Sequence, residues 1–238
     1  MAIVGAGLAG CALARALAER GVRSLVIERG AAVAEEGSGN AAGLFHGVVH
    51  PGDGRHARFH RAAALAAGAA VRAAFLRDGV RGSAAGLLRI ETGRDLAGMQ
   101  RLIDALGLPA DYLEALDRDA ASRLAGARLS FPAWHFPGAG WVDPRALACS
   151  WLSDAGASVR LRFGCTAMSM HRIDADWALP DPAGATIATA PVVVLCNGDG
   201  ALAGLSPWPI RRQRGQISAV AANELAPNQT VPSIAGTT

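Results

Sequence analysis

Residues 2–28, "AIVGAGLAGCALARALAERGVRSLVIE", constrain the fold more than any other stretch of this chain. A short apolar run, Ala2 to Val4, passes directly into the turn Gly5-Ala6-Gly7-Leu8-Ala9-Gly10. Helical spacing follows as far as Gly21, and a second apolar run begins at Ser24 and ends in Glu28, 18 residues beyond Gly10. This order predicts strand, glycine turn, helix and second strand, a βαβ unit of the dinucleotide-binding kind. Each glycine has a physical task. Gly5 permits the tight turn, Gly7 lets backbone approach a pyrophosphate, and Gly10 lets helix and strand pack closely. The helix start then offers unpaired N–H groups and the positive end of its dipole to phosphate oxygens. Glu28 is placed to accept hydrogen bonds from the adenosine ribose hydroxyls, and its charge disfavours a 2′-phosphate. The motif alone does not choose between NAD and FAD.

Composition narrows the setting. The chain has 238 residues, 51% of them apolar, enough for a substantial core. It has no charge-free apolar run of the about 18 residues a membrane helix requires, and its opening lacks the basic start of a secretory signal, so a cytoplasmic protein is expected. The four cysteines, Cys11, Cys149, Cys165 and Cys196, are widely separated and read as buried free thiols. All 23 basic residues are arginine, a compositional bias that weakens arginine richness as a signal for nucleic acid despite the net charge of +3.

After the second strand the chain enters "EEGSGNAAGLFHGVVHPGDG". The stretch has too much glycine for a helix and too many apolar residues for a linker, and small residues let backbone lie against a flat or phosphate-bearing ligand. It reads as a ligand-contacting loop. His46 and His50 are four apart, as are His56 and His60. The first pair straddles Gly47 and precedes Pro51, no acid or cysteine completes a ligand set, and no metal is expected. His56 and His60 fall in a long helix candidate, with Asp53 as its N-cap and Gly79 as its stop, whereas His46 and His50 are candidates to line a ligand cavity.

"AIVGAGLAG", "LVIERG" and "GSGNAAGLFHGVVHP" together resemble the D-amino-acid-oxidase superfamily of flavoenzymes. Within it they resemble the FAD-dependent oxidoreductase domain of the bifunctional enzymes of tRNA 5-methylaminomethyl-2-thiouridine biosynthesis. The resemblance implies FAD as cofactor, held at residues 5–10, Glu28 and Arg29, with Ser38, Gly39, Asn40 and Gly43 bordering the flavin. It also implies an α/β fold, α+β overall, in which a Rossmann-like FAD domain carries an inserted substrate domain with a mainly antiparallel sheet. The expected division is 1–80 and 145–204 for the FAD domain, and 81–144 and 205–238 for the substrate domain.

Downstream, helices are expected from Asp95 and from Asp119, and a further one at Asp143-Pro144, where an N-cap and a first-turn proline coincide. "SVRLRFG", "TAMSMHRI" and "DWALP" carry strand formers, and the turn-rich "DPAG" precedes the strand "PVVVLCNGDG". That strand ends in Asn197 and Gly198, small residues at the carboxyl end of a parallel sheet, where ligands bind. The resemblance implies that this turn approaches the FAD and that the backbone at Thr166 and Ala167 lies by the adenine. Arg211, Arg212 and Arg214 form either a solvated face or an anchor for a carboxylate, with Arg214 the one expected to point inward. His46 and Arg214 are the candidate substrate residues.

The activity implied is oxidation of a secondary amine, the carboxymethylaminomethyl group on the wobble uridine of tRNA, with a methyltransferase domain or partner elsewhere. Such chemistry needs no strong catalytic acid or base, and no catalytic residue is assigned. The sequence ends in "VPSIAGTT", whereas members of the family continue to a segment that closes the flavin site, so a fragment is expected. Rival readings are a free amino-acid oxidase acting on glycine, sarcosine or a D-amino acid, an FAD-binding module without turnover, and an NAD-dependent dehydrogenase.

Overall fold

The computed structural model describes residues 1–198, 200 and 234–235. The chain packs into two compact units, residues 1–41 with 143–217 and residues 42–142 with 218–238. Residues 42–80, expected with the first segment, therefore group with the second.

The first unit is built on a parallel sheet. Strand β1 (Ala2–Val4) leads through helix α1 (Leu8–Ala18) to β2 (Ser24–Ile27). The chain returns at helix α5 (Pro144–Ala155), which feeds β9 (Val159–Arg162), and β13 (Val193–Leu195) completes the order β13-β1-β2-β9. All three pairings are parallel. All three residues of β1 are buried, as a central strand covered on both faces requires. Ile3 lies toward α1, near Gly10, while Ala2 and Val4 pack with Ile27, Leu179 and Ala190 on the opposite face. Leu179 and Ala190 come from an antiparallel meander of β10 (His171–Ile173), β11 (Asp176–Pro180) and β12 (Thr186–Ala190). β12 went unread in the sequence because "TIATA" has only a weak apolar alternation. Asp143 caps α5 through Ala146 N–H at 3.0 Å with Pro144 in the first turn, as expected.

The second unit starts with β3 (Gly43–Phe45), a short strand inside the stretch expected to be wholly loop. Helix α2 (Arg55–Asp78) ends at left-handed Gly79, but its N-cap is Gly54 rather than Asp53. Asp53 has φ +35° and gives its carboxylate to Arg61 and Arg58 instead, because two guanidinium groups outcompete a backbone N–H for it. β4 (Gly82–Ser83) and β5 (Leu87–Ile90) precede α3 (Leu96–Leu106), which Asp95 caps through Gly98 N–H at 2.8 Å. β6 (Glu114–Leu116) leads to α4 (Arg118–Ala125), capped by Asp117; Asp119, the expected start, sits in its first turn. β7 (Ala133–Phe136) and β8 (Gly140–Val142) finish the main stretch. One sheet has the order β14-β5-β7-β6, where β14 is Ile234–Ala235, and a smaller one has the order β3-β8-β4. Met99 and Ile103, one turn apart on α3, bury against Leu87, Leu113, Trp134 and Phe136. Each large apolar side chain in this core contributes on the order of 1.5–3 kcal/mol.

Candidate functional site

The glycine turn closes against the end of β13. Gly5 has φ +103°, and a Cβ there would lie 2.6 Å from the carbonyl oxygen of Cys196. A Cβ on Gly10 would lie 2.0 Å from the carbonyl oxygen of Gly5. Both positions therefore exclude any side chain, as the motif predicts. Gly7 is the N-cap of α1 and provides no side-chain cap. An α-helix leaves its first N–H groups without intrahelical partners. Here Leu8 N–H finds Ser38 Oγ at 3.0 Å, 30 residues along the chain.

Glu28 lies just past β2 and bridges two backbone donors. Its Oε2 accepts from Ala6 N–H at 2.7 Å and its Oε1 from Gly30 N–H at 2.8 Å. The carboxylate is thus aimed across the glycine turn, and each oxygen retains capacity to accept a further hydrogen bond. The loop after it folds back over the same turn: Ala34 N–H donates to Ala6 O at 3.1 Å, and Arg145 on α5 donates to Ala34 O at 3.3 Å. Glu35 gathers the N–H groups of Ala31 and Ala32, at 2.8 and 3.1 Å. Arg29, expected at the cofactor, pairs with exposed Glu36. Gly39 N–H donates to Glu36 O at 2.7 Å, and Asn40 Nδ2 donates to Gly37 O at 3.2 Å. Ser38 and Glu28 therefore converge on the glycine turn, whereas the Asn40 side chain serves its own loop.

Asn197 and Gly198 follow β13, whose last residue pairs with Val4, and Gly198 is exposed at φ +60°. Asn197 Nδ2 donates to Gly200 O at 2.7 Å. Ala167 packs on the cluster of Ala2, Val4, Ile27 and Leu179. Cys11 alone among the thiols is buried; Cys149 is exposed and Cys165 and Cys196 are half-buried, which corrects the expectation that all four are hidden. Burial, followed by neighbouring Cys149, Glu28 and Cys196, pushes the Cys11 thiol up to about 12.

In the second unit a different cluster surrounds His46. The His46 ring is half-buried, with its centroid 5.6 Å from that of Phe136, and its Nδ1 lies 2.7 Å from Gly47 O. Tyr112 Oη donates to Val48 O at 3.3 Å, and Arg61 stands 5.8 Å from the Tyr112 ring centre. Burial raises the Tyr112 hydroxyl above its ordinary value, against the opposing pull of Arg61. His50 Nδ1 accepts from Gly52 N–H at 3.1 Å, and His56 and His60, both exposed, face each other on α2 with centroids 4.2 Å apart. Among the described residues no group of three or more His, Cys, Asp or Glu is arranged to hold a metal ion, and no helix is long and apolar enough to cross a membrane. Arg211, Arg212 and Arg214 lie outside the described residues.

Sequence reasoning missed the Tyr112 and Arg61 contribution. Tyr112 follows a proline and a short turn with no motif, and only the chain's single tyrosine marked it. Ser38 was found, but its capping of a helix 30 residues away has no local sequence signal.

A parallel sheet whose glycine turn, helix start and strand-end carboxylate meet at its carboxyl edge defines a dinucleotide-binding fold. The family model for FAD-dependent oxidoreductases, DAO, matches residues 1–236, and the chain belongs to that family. FAD is its cofactor. The chain is 40% identical over 227 residues to the tRNA 5-methylaminomethyl-2-thiouridine biosynthesis bifunctional protein MnmC of Methylibium petroleiphilum, covering 93% of this chain and 34% of that protein. It is 37% identical to the protein of the same name from Paraburkholderia phytofirmans, covering 98% of this chain and 36% of that one. The chain thus spans about a third of the length of these curated relatives. Among solved structures, glycine oxidase from Geobacillus kaustophilus superposes with a TM-score of 0.63 at 23% identity, over 83% of this chain and 54% of the other. L-proline dehydrogenase from P. horikoshii gives 0.66 at 15% identity, over 83% and 52%. These two establish the fold alone.

Proposed function

We propose that the chain is the amine-oxidising part of a tRNA-modifying flavoenzyme. In this reading it removes the carboxymethyl group from carboxymethylaminomethyl-uridine at the wobble position. The observation that carries the proposal is the 37–40% identity to the bifunctional relatives across nearly the whole of this chain. Residues 5–10, Glu28 and Ser38 would hold the cofactor, with Arg29, Gly39, Asn40, Ala167, Asn197 and Gly198 as the further candidates; Gly43, the remaining expected cofactor residue, belongs to the second unit. The glycine turn fits such a group on its own terms: it presents helix N–H groups where no Cβ intervenes, beside a carboxylate able to accept from ribose hydroxyls.

Bound flavin supplies a hydride acceptor. The protein's own part begins with positioning. Ser38 Oγ, having accepted from Leu8 N–H, has its O–H available to donate to a phosphate oxygen at the helix start. Glu28 stiffens the turn from the other side through Ala6. In this reading the neutral secondary amine would give up a hydride from its carboxymethyl carbon, and the imine would be hydrolysed by water to glyoxylate and a primary amine. His46 and Arg214 are the candidate contacts to the substrate. Methyl transfer, the other reaction implied by the resemblance, belongs to another domain or partner.

The test is anaerobic reduction of the FAD-loaded protein by undermodified tRNA, with glycine and sarcosine as competitors for the assignment. Bleaching of the flavin band by the tRNA, with glyoxylate released, is expected. Bleaching by the free amino acids alone would replace this reading with a free amino-acid oxidase, and tight FAD with no reduction by any amine would make the chain a binding module.

A further inference from the structure

We propose that the outward face of α2 is a self-association surface, on which two copies of this chain pair their α2 helices antiparallel about a two-fold axis. The inference is independent of the cofactor and of the reaction.

A surface helix keeps its apolar residues on one side and its charged residues on the other, whereas a helix apolar all round belongs in an interior. The middle of α2 departs from that rule. Its buried side is Ala57, Gly68, Val71 and Ala74. Residues 62–71, "AAALAAGAAV", contain no polar side chain, so the outward side is apolar as well. Phe59, Leu65 and Leu76 stand 70%, 58% and 90% exposed, and Ala62, Ala66, Ala69 and Ala73 are exposed among them.

The order of these residues identifies the occupant. Phe59, Ala62, Ala66, Ala69, Ala73 and Leu76 follow one another at intervals of 3, 4, 3, 4 and 3, the seam of a paired helix. The spacing is the same read from either end. In an antiparallel pair Phe59 therefore meets Leu76 of the second copy, Ala62 meets its Ala73 and Ala66 meets its Ala69, and the two-fold repeats each contact. A two-fold interface requires such a self-complementary patch. Large side chains close both ends of the seam, and the alanines between them let the helix axes approach to about 8 Å.

Charge selects the antiparallel arrangement. Arg55, His56 and Arg58 crowd a first turn that has no acid, where the positive end of the helix dipole disfavours cations. Antiparallel pairing lays that turn beside the carbonyl end of the other α2, whereas parallel pairing brings two basic ends together. Most of the flanking arginines are already engaged: Arg58 and Arg61 by Asp53, Arg77 by Asp78, and Arg72 through a hydrogen bond to Gly138 O at 3.1 Å. A polyanion such as RNA is a poorer match, because the centre of the face has no charge to offer it.

Sedimentation velocity of the FAD-loaded protein from about 1 to about 100 μM tests the pairing. Monomer should pass into dimer across this range, since one helix pair lies at the weak end of interfaces, below about 1,200 Å². Ala66→Glu places a carboxylate at the centre of the seam but at an exposed position of the monomer. It should weaken association by about 100-fold or more and leave far-UV circular dichroism and bound flavin unchanged. Cross-linking reads the orientation in a Cys149→Ser background, which removes the exposed thiol. Ala62→Cys mixed with Ala73→Cys should give a disulfide-linked dimer under oxidised glutathione. Neither should link to itself, because identical positions are then about 16 Å apart along the axis. A monomer at every concentration, a dimer indifferent to Ala66→Glu, or either cysteine variant linking to itself overturns the inference. A monomer that sediments faster only with added tRNA overturns it in favour of an RNA-binding face.

Discussion

Gly10→Ala sets two physical effects against each other. Gly10 sits inside α1, where glycine is intrinsically worse than alanine, so propensity alone makes the substitution stabilising by about 1 kcal/mol. The new methyl, however, would stand 2.0 Å from Gly5 O and 3.1 Å from Gly5 C. Both atoms are backbone, so no rotamer change relieves the clash, and α1 must move from the glycine turn by about 1.4 Å or more to restore ordinary contact. Overpacking of this kind costs about 1–3 kcal/mol, and an immovable partner puts Gly10 at the upper end. Subtracting the helix gain leaves a net loss of about 2 kcal/mol, or a fall of about 4–8 °C in Tm for a chain of this size. Thermal unfolding followed by circular dichroism measures it. Gly37→Ala provides the control, since a Cβ there has nothing within 4 Å and the backbone is not left-handed; its effect should stay within about 0.5 kcal/mol. A Gly10→Ala protein as stable as the parent, or more so, refutes the argument from close packing and leaves propensity in charge.

Two further outcomes are expected. Glu28→Gln presents an amide NH2 to one of the two N–H groups that the carboxylate now accepts, Ala6 and Gly30; losing a charge-assisted bond of about 1.5 kcal/mol or more should weaken FAD about tenfold, read by flavin fluorescence titration, and unchanged affinity would dissociate Glu28 from the cofactor. Glu91 is buried: burial pushes its carboxyl up, but Gly93 N–H, the Trp134 indole at 2.7 Å and Arg94 together hold it below its ordinary value. Because the folded-state value is the lower one, its contribution is full above about pH 4.3 and is lost as pH falls through that value toward the folded one. Stability measured against pH should fall less steeply in this acid window for Glu91→Gln than for the parent, and parallel slopes would refute it.

The first unit was the more legible because its signals are local. Strand, glycine turn, helix and strand-end acid occupy consecutive positions, and the burial of Ala2, Ile3 and Val4 on both faces follows from an apolar run with no alternation. The Asp143-Pro144 helix start was equally plain. The antiparallel strands of the second unit were not, because three- and four-residue strands such as Ala133–Phe136 and Gly140–Val142 are too short for a period to emerge and are defined by partners far along the chain. Asp53 failed as a cap for a related reason: the sequence shows an aspartate before a helix but not the two arginines that the helix itself turns toward it.

The stretch of residues 28–40 shows how local and distant signals combine at the site. The small residues from Glu35 onward suggested contact with a ligand, yet most of the hydrogen bonds of this stretch are spent on itself and on the glycine turn. Glu35 organises Ala31 and Ala32, Ala34 reaches Ala6, and Ser38 reaches Leu8. Together with Glu28 at Ala6, these bonds secure the turn. The smallness of the residues reflects close packing of loop on turn: a Cβ on Gly39 would lie 2.7 Å from Ala34 O. A single substitution in this loop need not touch the cofactor to disturb it, because the turn that offers the N–H groups and the loop that braces it are one hydrogen-bonded structure.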